Sequence, residues 1–229
     1  MIGKIIGPFL FIVLLSYSLD SFSQKRKKGI SYKFNISKLE AASDVVWYGV
    51  DFSKCKITDG SKMSEGYQMK EKYIPGWISL MNQRYDLDYI RRKLKKNVSE
   101  DLNTIQKLYK NIDERELVTF SNYSFPIERV KAIVKDYPLP EKSGIGFILI
   151  IENLNKPDRF ITGYFTFFDL YSREIICATK MKGLPGSKYG FSQWWKEGMV
   201  ELFDYYFRDY HRRLIKSNTA ANQHLEIKY

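Results

Sequence analysis

The apolar positions of this chain fall into two kinds of run. Some stretches are apolar at nearly every residue, and others are apolar at every third or fourth. The first kind marks strands buried on both faces. Residues 45–52 form such a run, with Gly49 inside it, and residues 144–153 form another. Residues 160–169 alternate less cleanly, but their Phe, Tyr, Thr and Ile content is that of a strand. The short polar stretch 171–173 predicts a hairpin turn into a further strand over 174–182. On that strand Ile175, Cys177, Thr179 and Met181 are expected on one face, with Ile176 and Ala178 on the other. Residues 117–120 predict a shorter strand.

The second kind of run predicts helices. After a break at Pro75-Gly76, Trp77, Leu80, Met81, Leu87, Ile90 and Leu94 place one helix over 77–96. Residues 97–113 show a weaker helical period through Leu102, Ile105, Leu108 and Tyr109. Ser124-Phe125-Pro126 opens another helix, whose buried face is Ile127, Val130, Ile133, Val134 and Tyr137. A long helix is expected over 191–216, with Trp195, Met199, Leu202, Tyr206 and Tyr210 in line. The fold class that results is α/β (α+β). It is a two-layer sandwich with a mixed, largely antiparallel sheet and helices packed mainly on one face. The domain spans 44–216, preceded by a basic arm at 24–43 and followed by a flexible tail at 217–229.

The first residues change the picture by compartment. Residues 1–23 read as a secretory signal peptide. Lys4 supplies the positive start, residues 5–15 the apolar run, and Ser21-Phe22-Ser23 a small-x-small cleavage site before Gln24. An uncleaved anchor helix is the alternative, for which the run is short. The ending SFSQ followed by KRKK resembles export signals of Bacteroidota. That resemblance implies the periplasm, the outer-membrane periphery or secretion.

Charge then narrows the partners. A net charge of +11 and a pI near 9.4 favour anionic ones: nucleic acid, acidic protein, or a lipid or polysaccharide surface. Export makes nucleic acid an unlikely partner and raises envelope proteins and anionic envelope polymers. The densest cationic run is Arg91, Arg92, Lys93, Lys95 and Lys96, at a predicted helix C-terminus where cations complement the dipole. Arg91, Arg92, Lys95 and Lys96 are therefore binding candidates. Lys188 and Tyr189, in the Gly-rich stretch 183–190, are two more.

Motifs for catalysis are missing. The chain has no GxSxG elbow, no phosphate loop ending in GK[ST], and no HExxH. Its two histidines, His211 and His224, fall in a basic helix end and a tail. No cofactor or metal is expected. The one enzymatic scenario rests on Asp51, Glu152 and Asp169 at or near strand ends, since a glycoside hydrolase needs two carboxyls. Acids at strand ends also cap turns or form structural ion pairs. Cys55 and Cys177 can pair in an oxidising compartment or pack as two buried thiols.

Four phrases resemble an uncharacterised family of exported Bacteroidota proteins: WYGVDFSKCKI (47–57), GIGFILIIENLNK (144–156), TFFDLYSREII (166–176) and MKGLPGSKYGFSQWW (181–195). The likeness covers most of the chain after residue 23 and implies no established activity. The element order also resembles the TolB amino-terminal domain and related α/β domains of envelope assembly factors. That likeness concerns the fold and does not imply a shared job; export, the missing catalytic signatures and positive charge without metal ligands point to a non-enzymatic binding or assembly accessory module of the envelope. The alternatives are a carboxylate-dependent hydrolase of envelope glycan and an exported binder of anionic polymer or nucleic acid. For the last, Tyr164 with Phe168 and Tyr48 with Phe52 are candidate stacking rings.

Overall fold

The computed structural model describes residues 29–59, 66–140, 142–186 and 191–210. The expected signal segment, Lys188, Tyr189, His211, His224 and the tail 217–229 lie outside the described residues. In chain order the elements begin with β1 (Ile30–Lys33), α1 (Ile36–Ala41), β2 (Asp44–Asp51), β3 (Lys56–Thr58) and α2 (Gly66–Gln68). They continue with α3 (Ile74–Arg84), α4 (Leu87–Leu94), β4 (Asn97–Glu100), α5 (Glu114–Leu117) and β5 (Val118–Thr119). The last are α6 (Ile127–Lys135), β6 (Ile145–Asn155), β7 (Phe160–Asp169), β8 (Ile175–Gly183) and α7 (Phe191–Tyr205).

The strands make one mixed sheet in the order β1-β8-β7-β6-β2-β4. Its long strands, β6, β7 and β8, pair antiparallel, and β1 joins β8 the same way. The other half is parallel: β2 and β4 flank the first part of β6, and β3 with β5 flanks its end. Every residue of β6 is buried, which is why its sequence is a continuous apolar run instead of an alternation. The architecture is thus the expected α+β sandwich.

Helices lie mainly on the first face of the sheet. There α1, α3, α4 and α7 cover Trp47, Phe147, Phe165 and Phe167. Aromatic rings dominate this core: Phe165 stacks on Tyr206 at 4.0 Å, Phe147 on Phe167 at 4.2 Å, and Tyr85 on Phe203 at 4.3 Å. The α7 backbone approaches β8 closely because Gly183 faces the Gly198 carbonyl, where a Cβ would overlap it. After Tyr205 the helix widens into a π-turn, Tyr206–Tyr210. The widening turns two consecutive residues, Tyr206 and Phe207, into the core. The second face is covered by α6, whose Val130, Ile133 and Val134 pack with Tyr48, Ile148 and Phe168. The end of the Phe168 ring fills the space beside Gly146 that a side chain would occupy.

Five expectations are corrected. Residues 30–41, read as part of a basic arm, belong to the fold: β1 pairs with β8 from Ile30↔Lys180 to Lys33↔Cys177, and Ile36 and Leu39 of α1 are buried. The helix expected over 77–96 is two helices. Asp86 breaks it by accepting the Tyr89 N–H at 2.7 Å, an N-cap that starts α4. Pro75 does not break the chain. A π-turn at Met69–Tyr73, where Ile74 N–H bonds the Met69 carbonyl, leads straight into α3. Residues 97–100 form the edge strand β4, and only Gln106–Asn111 coils, as a 3-10 turn. On β8 a register shift leaves Ile176 unpaired between Ile175 and Cys177. Ile176 therefore joins Cys177 on the first face, and Ile175 joins Ala178 on the second.

Candidate functional site

The three carboxylates proposed for catalysis do not converge. Asp51 ends β2 and is fully buried. Its oxygens accept the Ser53 N–H at 2.7 Å, the Ser53 hydroxyl at 3.1 Å and the Tyr137 phenol at 2.7 Å. Burial pushes its pKa above the usual carboxylate range, against the pull of these hydrogen bonds. Glu152 sits where β6 skips a partner on β7, so its side chain leaves the ladder. One oxygen accepts the Phe125 N–H at 2.6 Å, Lys180 Nζ at 2.8 Å and the Ser124 hydroxyl at 3.1 Å. Glu152 thereby ties the entry of α6 to the sheet. Asp169 closes the β7–β8 hairpin, accepting the N–H groups of Tyr171 at 3.0 Å and Ser172 at 2.6 Å. Lys38 of α1 pairs with it at 2.5 Å. Partial burial raises the Asp169 pKa, but Lys38 and Ser172 outweigh it and the net shift is downward.

Register places these groups. Asp51 lies opposite Ile150, which puts its Cα about 8 Å from that of Glu152. Asp169 lies opposite Ile145, seven residues back along β6 and about 23 Å away. Glycoside hydrolysis needs two carboxyls that both reach the sugar. Asp51 and Glu152 are 0% and 1% exposed, so neither does.

The cysteines are two free, buried thiols. Cys55 precedes β3 and Cys177 lies on β8, with β6 and β7 between those strands. Three strand spacings amount to about 14 Å, twice the Cα separation a disulfide spans. Burial raises both thiols above their ordinary pKa, which suits inert packing groups.

The basic run sorts into two jobs. At the C-terminus of α4, the Arg91 guanidinium donates to the Val98 carbonyl at 2.9 Å and meets Asp88 at 3.3 Å. Val98 is on the edge strand β4, so Arg91 covers part of an edge that would otherwise be open to pairing. Lys96 donates to the Ala42 carbonyl at 2.5 Å, closing the C-terminal end of α1. Arg92 and Lys95 do neither and extend into solvent. Lys95 holds a left-handed backbone, φ 55°, that turns the chain out of α4. Together the four cations, Ala42, Ser43 and Asn97 line a shallow depression of about 580 Å³ where α1 and α4 both end.

The chain matches no protein-family model and no curated protein. Among the described residues, no helix is long and apolar enough to cross a membrane.

Several residues that organise the molecule escaped sequence reasoning. Lys180 reads as a charged strand residue, yet it holds Glu152 and Ser124, the latter at 2.8 Å. Gln106 reads as one polar residue among many. Its amide lies over Gly49, pairs with the Asn82 amide at 2.9 and 3.0 Å, and comes within 3.1 Å of the Val50 nitrogen. The one available signal was Gly49 inside an apolar run. It has φ 77°, and a Cβ there would overlap the Gln106 amide.

Proposed function

We propose that this protein is an exported, non-enzymatic accessory module of the cell envelope that engages an anionic partner at the corner where α1 and α4 end. The observation that carries the reading is the division of labour in that corner. Arg91 and Lys96 hold the backbone, while Arg92 and Lys95 stand on the rim of the depression with their charge directed outward. The cations also neutralise the partial negative charge of two helix ends, which would otherwise repel an anion. The signal-like first 23 residues, the absence of catalytic motifs and the burial of Asp51 and Glu152 support the same reading. Those buried carboxylates lend the glycan-hydrolase alternative no support.

The test is crosslinking and affinity capture from the native envelope with a C-terminally tagged protein, paired with the Arg92→Glu/Lys95→Glu variant. The captured partner is expected to be acidic. Its binding is expected to weaken about tenfold in the variant at low salt, a change of about 1.4 kcal/mol. Wild-type binding should weaken in the same direction as salt shortens the screening length. Unchanged capture by the variant in low salt would remove the corner from the interface. Co-purified glycan in place of a protein would identify the anionic partner as a polymer.

A further inference from the structure

We infer that a second site, the groove between α3 and the 3-10 turn Gln106–Asn111, binds an anionic saccharide whose neighbouring sugars carry carboxylate or phosphate groups. The groove has a volume of about 480 Å³. Asn82 and Gln106, whose amides pair, both line it, with Gln106 buried. Each amide spends one donor and one acceptor on the other. With both amides turned end for end, which keeps one donor and one acceptor on each side of the pair, Gln106 also accepts the Val50 N–H and donates to the Leu102 carbonyl, both at 3.1 Å. Asn82 keeps an N–H and a lone pair beyond that pair, and Asn82 and Asn103 both line the groove. Planar groups that donate and accept side by side match vicinal hydroxyls.

The 3-10 geometry arranges the rest. Residues three apart eclipse in such a turn. Gln106 and Tyr109 therefore share one side, and the half-buried Tyr109 lines the groove with Gln106. Lys107 and Lys110 share the adjoining side, about 6 Å apart along the axis, or roughly one sugar unit. Both lysines are exposed, and the described lining residues include no carboxylate. The larger groove between α3 and α7, about 700 Å³, carries three carboxylates against three cations and has no such preference. One ring and two point charges suit a short acidic oligosaccharide better than nucleic acid, which needs successive stacking faces. This inference does not rest on the corner of Arg92 and Lys95, and the two fail separately.

The experiment is titration of the isotope-labelled protein with oligogalacturonides, with phosphorylated oligosaccharides, and with neutral maltooligosaccharides. Shifts confined to the amide signals of Asn82, Asn103, Lys107 and Tyr109 are expected with an acidic ligand. Affinity should fall at least tenfold in Lys107→Ala/Lys110→Ala and in Tyr109→Ala, and stay unchanged in Arg92→Glu/Lys95→Glu. The lysine variant changes exposed side chains only, so its fold is a fair control. A preference between the carboxylated and phosphorylated ligands would name the acid group. Equal binding of neutral ligands, binding that survives loss of both lysines, or no shifts in the groove at millimolar ligand would each overturn the inference.

Discussion

Tyr164 and Phe165 are neighbours in the chain and face opposite sides of the same sheet, and they are held by different physics. Phe165 stacks on Tyr206 and meets Phe203 edge-on at 5.2 Å, within a core of rings that excludes water. Tyr164 stacks on Phe125 at 5.6 Å but also donates its phenol to the Phe125 carbonyl at 2.8 Å, beside Lys180 and Glu152. The first face is cohesive by shape and area. The second buries Asp51, Glu152 and Asn153 and uses each to fasten a segment outside the sheet. The long helix α7 covers its face mainly by packing, with hydrogen bonds from Trp77 to the Ser192 carbonyl and from the Tyr85 phenol at its margin. The short connections around residues 121–125 are held by hydrogen bonds from the sheet.

The largest expected effects follow from that contrast. Phe165→Ala should cost about 3–5 kcal/mol, because the void it leaves is walled by rings that cannot collapse into it. Tyr164→Phe keeps the ring and loses one hydrogen bond, so about 1 kcal/mol is expected. Denaturant titration of both variants checks the pair. Similar losses for the two would mean that the faces are not held differently.

Glu152→Ala comes next, at about 2–4 kcal/mol. It leaves the Phe125 N–H without its acceptor and Lys180 without its counter-charge, although Lys180 is partly exposed and regains some hydration. Glu152→Gln should lose less, since its carbonyl still accepts from Phe125. Proteolysis near residues 121–125 should quicken more in the alanine variant if the carboxylate works as a tether.

Much of this was legible in the sequence, and the rest was hidden for identifiable reasons. The runs that became β2, β6 and β7 announce themselves because a strand buried on both faces is apolar at most positions, with its few charged residues towards the ends. The α6 face was legible because its spacing and its Pro126 agree. β1 and β4 are four residues each, too short for a period, and they exist because a neighbouring strand offers them an edge. The break between α3 and α4 hung on one side chain, Asp86, in a stretch whose apolar spacing continued through it. In the candidate corner the cationic run was plain. Which cations hold backbone carbonyls depends on α1 and β4 arriving there, one from 54 residues upstream in the chain and the other from directly after the run. The Gly49–Gln106–Asn82 contact joins three distant stretches and leaves only a glycine as its trace.

Acid titration sharpens the comparison by sign. The raised pKa of Asp51 means that the folded protein binds its proton more tightly than the unfolded chain does. Between the ordinary carboxylate value of 3.8 and the raised one, this group's contribution falls as pH rises, and above both the penalty stays constant. Asp169 behaves oppositely. Its pKa is lowered, so it adds stability above 3.8 that is lost as pH falls through the folded value. Asp51→Asn should therefore match or exceed the wild type near neutral pH and flatten the slope. Asp169→Asn should be less stable near neutral pH and converge with the wild type in acid. Thermal unfolding across pH 3 to 7, values set for the experiment at about the carboxylate range and neutrality, separates the two.

The smallest effects belong to the surface, where the same contrast between fastening and facing outward recurs among four cations. Arg91→Ala removes the donor that covers the Val98 carbonyl and should cost about 1 kcal/mol. Arg92→Ala removes a side chain that extends into solvent, so only its helix-end contribution is lost and the melting temperature should fall less than in Arg91→Ala. The order reverses for binding to an acidic partner. Loss of Arg92 is expected to weaken association, and loss of Arg91 to weaken it less, because its charge is already shared with Asp88. Val98 gives a further readout. With Arg91 gone, the β4 edge is less protected, so Arg91→Ala should associate through that edge at high concentration while Arg92→Ala stays monodisperse. Sedimentation of both variants, beside their melting curves, decides whether this corner separates support from recognition or uses all four cations for both.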